Sequence, residues 1–268
     1  MSGSFGIAHG GRRRRAALVA IALLLGCDHG GLVLDGATRA LGSSPADGSL
    51  DVPRRLELRV FFDRPLAPRS VSRASVSLRS GPQQRFLSVR YDPVDRALVT
   101  RDFTGAALEP NVEYELRVEG VRDLDGGSVA PFVARFFTGA TLGEPPPIPS
   151  AGWAEVEPIF AARCVDAECH GGDRPALGLD LGSAEGVRAT AIGVPAVSDS
   201  LGGLSERGLS GFPRIDVIAG VGRPDSSRLL YEVLRDPRVG EPMPPDDALT
   251  AEEVATIAHW ILAGAPTE

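Results

Sequence analysis

Lysine is absent from this 268-residue chain, so each of its 28 basic side chains is an arginine. Basic charge is also outweighed, because 35 acidic residues leave a formal net charge of −7. Residues 1–26 hold Arg12, Arg13, Arg14 and Arg15 and no acid, so the remainder of the chain carries −11. A surface of that sign repels phosphate backbones, which argues against a nucleic-acid partner and makes any electrostatically steered partner basic. Long apolar runs are missing as well. The longest, Ala16 to Leu25, is too short to cross a hydrocarbon core of about 30 Å as a helix. Cysteine is limited to three residues, and Met243 is the only methionine after the initiator.

What is present fits an ordinary globular protein, with 43% hydrophobic and 24% charged residues in a chain long enough for one or two domains. The four arginines, the ten apolar residues and then Leu24-Leu25-Gly26-Cys27 follow the order of an export signal. That ending resembles the lipobox of bacterial lipoproteins. The resemblance implies cleavage after residue 26 and acylation of Cys27, with enough buried methylenes to anchor the chain to a membrane. Asp28 beside it leaves inner or outer membrane open.

Residues 27–44 have no hydrophobic period and read as a flexible tether. From residue 45 to 139 short alternating segments take over. Leu56, Leu58, Val60 and Phe62 share one strand face, opposite Glu57, Arg59 and Phe61. Further strands are expected at Ser75–Arg79, Arg85–Tyr91, Ala97–Arg101, Glu113–Glu119 and Val133–Thr138, divided by turn clusters. No helical segment interrupts them, so an antiparallel sandwich is expected. Pro45-Ala46-Asp47-Gly48, Phe62-Asp63-Arg64-Pro65-Leu66, Gly120-Val121-Arg122-Asp123 and Phe136-Phe137-Thr138-Gly139 resemble the bacterial Ig-like domains of surface lipoproteins. Tyr114, in Leu108-x-Pro110-x-x-x-Tyr114, suits a tyrosine corner. Asp123, Asp125 and Gly126 read as a turn, since the downstream carboxylates of a calcium loop are missing. Pro145-Pro146-Pro147-Ile148-Pro149 makes residues 140–151 a semi-rigid linker.

Residues 152–268 change period. Trp153, Val156, Phe160 and Cys164 recur at helical spacing around Pro158, and Cys164-Val165-Asp166-Ala167-Glu168-Cys169-His170 follows. A histidine directly after the second of two cysteines resembles the attachment motif of c-type cytochromes. The resemblance implies that Cys164 and Cys169 form thioethers to haem c and that His170 ligates its iron. Four residues separate the cysteines where two are usual, so the extra pair must bulge outward.

Gly240-Glu241-Pro242-Met243-Pro244-Pro245 resembles the loop that carries the distal thioether in small cytochromes c, and implies Met243 as second iron ligand. A lone methionine is usually core filler, but three flanking prolines in a polar loop suit a held ligand better. Thr250 and Glu253 form a capping box ahead of an apolar stripe of Val254, Ile257, Ala258, Ile261 and Leu262, with Trp260 beside it. Helices are also expected around Ala184–Ala191 and through Leu229, Leu230, Val233 and Leu234. Arg223 is a candidate partner for a haem propionate, and the Pro175 carbonyl for the His170 Nδ1 proton.

The implied architecture is an all-β Ig-like sandwich followed by an all-α cytochrome c domain. The implied function is one-electron transfer through a single haem in a lipid-anchored protein of the cell envelope, with a basic redox partner. Three other readings stand beside it. Cys164 and Cys169 form a disulfide in a haem-free adhesion lipoprotein; Cys164, Cys169 and His170 bind zinc with His259; or the haem serves an enzyme such as a peroxidase.

Overall fold

The computed structural model describes residues 37–166, 168–196, 209, 211–236 and 242–268. Cys27, Asp28 and the expected leader lie outside the described residues. Among the described residues no helix is long and apolar enough to cross a membrane.

Two sheets form first. One has the order β1 (Ala40–Ser44), β3 (Leu58–Phe62), β7 (Ala97–Asp102), β6 (Leu87–Asp92). The other runs β2 (Ser49–Val52), β9 (Phe132–Thr138), β8 (Glu113–Val118), β4 (Val76–Ser80), β5 (Gln83–Gln84). All pairs are antiparallel except β2 with β9. Alternation in the sequence sets the faces, because successive strand residues point to opposite sides. Leu58, Val60 and Phe62 are thus buried, and they meet Leu78, Leu116 and Phe136 of the other sheet in one core. The expected strands are present to within one or two residues at their ends.

Three strands are additional to the sequence reading, and one of them is the two-residue β5. β1 lies inside the expected tether, and β2 is short and mostly exposed. Neither has a hydrophobic period, because each is an edge strand held by hydrogen bonds to a neighbour. Tyr114 does make the corner: the Glu109 N–H donates to its hydroxyl at 3.0 Å. Asp123 is buried in a turn, where its carboxylate accepts from Thr38 Oγ1 and the Gly127 N–H, each at 2.7 Å.

The C-terminal region is not the all-α domain that the cytochrome resemblance implied. Its helices are α1 (Trp153–Arg163), α2 (Ala184–Thr190), α3 (Arg228–Val233) and α4 (Ala251–Leu262), and a hairpin of β10 (Val217–Ile218) and β11 (Val221–Gly222) sits between them. Single bridges join Ile192 to Ile215 and Pro195 to Pro213. The reason is local: Ala219 and Gly220 both take positive φ, the turn that joins two strands tightly, and β-branched residues flank them. The fold is mixed, with helices packed around irregular and paired chain.

α1 runs straight through Pro158, which lacks only one N–H of the ladder. α4 starts with the expected box, as Thr250 Oγ1 accepts from the Glu253 N–H and Glu253 Oε2 from the Thr250 N–H. Trp260 is fully buried and packs with Trp153 and Phe160 of α1, while its Nε1–H donates to the Pro266 carbonyl.

The proline linker does not hold the two regions apart. It is fastened to the sandwich, through the Arg54 and Arg55 N–H groups to Thr141 and Leu142 carbonyls and from Arg101 to the Pro146 carbonyl. Leu124 of the sandwich is buried in one cluster with Leu209, Phe212 and Tyr231, and the Arg69 guanidinium lies 4.6 Å from the Phe212 ring centre. Val94 also packs against the C-terminal core.

Candidate functional site

The chain after α1 turns back on itself. The His170 N–H donates to the Cys164 carbonyl at 3.0 Å, which closes a loop over the two residues in excess of the usual spacing. Asp166 organises that loop, since its Oδ1 accepts from the Glu168 and Cys169 N–H groups, both at 2.8 Å. Asp166 and Glu168 in that loop are exposed. Cys169 and His170 are then tied to the next segment, by Ala176 N–H to the Cys169 carbonyl and Leu181 N–H to the His170 carbonyl.

On the far side of a cavity stands the proline loop. The Met243 N–H donates to the Glu232 carbonyl at the end of α3, and the Arg235 guanidinium donates to the Pro244 and Pro245 carbonyls. The loop is therefore fixed by α3 as well as by its prolines.

Between these elements lies a cavity lined by Cys164, His170 and Met243, with apolar walls from Phe160, Leu179, Leu181, Leu229 and Val233. Its enclosed part is about 110 Å³, and the space counted with the open mouth included is about 830 Å³. Three of the four residues expected at a haem thus share one chamber. Cys169 does not line it; the chain places it beside His170, hydrogen-bonded to Asp166.

The chemistry of these groups is set by burial. Burial lowers the His170 pKa, against the Leu179 and Ala176 backbone, which favours the charged ring. Nδ1 of that imidazole is buried without a partner in hydrogen-bond geometry. The Pro175 carbonyl, expected to serve it, instead accepts from the Gly178 N–H. A neutral imidazole with an unmatched buried nitrogen costs about 1–3 kcal/mol until something engages it. Burial also pushes the Cys164 thiol up to about 11, and the Asp166 hydrogen bond raises Cys169. Both thiols stay protonated at neutral pH and both are free.

Zinc is poorly served. No three histidines, cysteines or acidic residues cluster as a metal site among the described residues, and His259 lies in a different cleft, between the sandwich and α4. Haem would draw on one imidazole, one thioether and an apolar chamber, which the cavity offers, together with two thiols, of which Cys164 lines the cavity and Cys169 stands outside it. Arg223, the expected propionate partner, is in the other cleft and pairs with Asp216 at 3.6 Å. Arg214 and Arg228 line the cavity instead. Nothing in the sequence distinguishes them, since an isolated arginine among 28 has no spacing signature.

Solved structures similar to parts of this chain include the N-terminal part of the bacterial S-layer protein SbsC, 11% identical over 43% of this chain at a TM-score of 0.32. The match spans 25% of that protein. CopC from Methylosinus trichosporium OB3b is 14% identical over 40% of this chain and 94% of its own, with a TM-score of 0.30. PcoC, a methionine-rich copper resistance protein from Escherichia coli, is 14% identical over 38% and 99%, with a TM-score of 0.31. No curated protein sequence is detectably similar to the chain. A family model does match the sandwich: residues 35–138 are a bacterial Ig-like domain.

Proposed function

We propose that the chain is an electron carrier of the bacterial cell envelope, holding one haem through Cys164 and Cys169 with His170 and Met243 as iron ligands. The observation that carries this reading is the apolar cavity in which Cys164, His170 and Met243 meet, although 73 positions separate His170 from Met243 in the sequence. When bound, haem supplies a reversible one-electron couple. His170, neutral through burial, offers a nitrogen lone pair, and Met243 offers a soft thioether that favours the reduced metal. Arg235 and the Glu232 carbonyl hold the Met243 loop in place, so Met243 would be positioned to supply the second ligand of a bound haem. The leucine and phenylalanine walls make the lining mostly apolar. The Ig-like domain and the lipobox-like leader support an envelope site with a lipid on Cys27, and the acidic chain favours a basic partner.

The test is spectroscopic. The full chain, made in a host that attaches haem covalently, should show a low-spin haem spectrum, and acid acetone should leave the haem on the denatured polypeptide. Met243→Ala should lower the reduction potential and let carbon monoxide bind the reduced form. A colourless product with a Cys164–Cys169 disulfide would establish the haem-free adhesion reading. Ready carbon monoxide binding by the wild type would remove Met243 as a ligand.

A further inference from the structure

Among the described residues the cavity carries an unbalanced charge. Arg228 and Glu232 line it as a pair at 3.2 Å, so their charges offset each other. Arg214 lines it too and is only 8% exposed, yet among the described residues it has no acidic partner. Its hydrogen bonds go to three neutral carbonyls: Nη1 donates to Gly178 and Thr190 at 2.9 and 2.8 Å, and Nη2 donates to Leu177 at 2.5 Å.

A guanidinium has five N–H donors. Three are used here. The Nε–H and one Nη2 proton remain, adjacent donors of the kind that grip a carboxylate with two parallel bonds. A buried cation held only by carbonyl dipoles is costly, and an anion arriving with the ligand would offset that cost.

We propose that Arg214 is the charge partner of a carboxylate on the molecule that fills the cavity, so the ligand class is an apolar body bearing an acid. This rests on the haem reading, in which that acid is a propionate, but a fatty acid has the same chemistry. Arg214 has a second task that any substitution also disturbs. Its carbonyl partners include Leu177, a lip residue held at φ 53° and 58% exposed. A loss of binding on substitution would therefore be ambiguous by itself, and the ligand must be varied too.

The experiment titrates the full chain, purified without haem, with ferric protoporphyrin IX, with its dimethyl ester and with palmitate. The wild type should bind the free acid at least tenfold tighter than the ester. Arg214→Gln should bind both forms about equally. Arg214→Lys, which keeps the charge, should retain part of the preference, and far-UV circular dichroism melts should show all three proteins folded. Because the ester arm compares two ligands on one protein, a merely structural role of Arg214 would not change the ratio. Porphyrin binding without acid-over-ester preference overturns the role of Arg214 and leaves the haem reading standing. Palmitate binding that Arg214→Gln abolishes, with no porphyrin binding, does the reverse. Binding of neither overturns both.

Discussion

At the scale of single residues the charges are arranged with unequal cost. Glu57 is almost fully buried, and although burial alone would raise its pKa, hydrogen bonds from Arg59 and Arg101 bring it below the usual range. Asp225 is the opposite case. Burial pushes its pKa up to about 6, Arg223 and Arg90 offset this only in part, and Asp216 adds to it. It faces the cleft between sandwich and C-terminal region, which Asp92, Asp95 and His259 also line. A carboxyl with a raised folded pKa destabilises the fold when ionised, so stability should rise as pH falls from about 6 towards 4. Asp225→Asn should remove that rise and stabilise the protein at pH 8 by up to about 3 kcal/mol. Denaturant midpoints at pH 8 and pH 5 decide it, and parallel pH profiles for variant and wild type would refute the assignment.

Among elements, the hairpin β10–β11 departs furthest from the sequence reading and packs most closely. A Cβ on Gly222 would sit 1.5 Å from the Ile261 carbonyl oxygen, so β11 rests on the C-terminal turn of α4 where only glycine fits. Gly222→Ala must lift the hairpin off α4, at a cost of about 1–3 kcal/mol or more. An unchanged denaturation midpoint would show that the two elements are not in firm contact. α1 and α4, by contrast, were legible beforehand. Their apolar residues recur at helical spacing and Thr250 and Glu253 mark the start of α4, so local chemistry and tertiary packing favour the same answer. The six-residue hairpin carries no period of its own, and β1 and β2 are in the same position.

For the molecule as a whole, the contact between sandwich and C-terminal region changes what the Ig-like domain does. α3 presents Leu229 and Val233 to the cavity and Tyr231 to the Leu124 cluster, so the sandwich supports one wall of the proposed haem site. Residues 35–268 accordingly form one compact unit. Both tryptophans, Trp153 and Trp260, lie in the C-terminal core, and their fluorescence therefore reports on that core alone. Leu124→Ala, made in the sandwich, should lower the tryptophan-detected midpoint, with a loss of about 2–5 kcal/mol in stability. A transition that stays put while the sandwich loses stability would show the regions to be independent.

The sequence by itself determined those features whose physics is local: strand faces from alternation, helices from the 3.6-residue period and caps, turns from glycine, proline and aspartate. It also singled out Cys164, Cys169, His170 and Met243, the residues proposed to hold a haem, because they stand out by rarity and neighbours. Tertiary structure alone decided the rest. It brought Met243 to the cavity of Cys164 and His170, put Arg214 there in place of Arg223, made the C-terminal region mixed, and docked the sandwich against α3. Each of these depends on contacts between residues far apart in the chain, whose strength comes from shared burial, and burial has no signature in any single stretch of sequence.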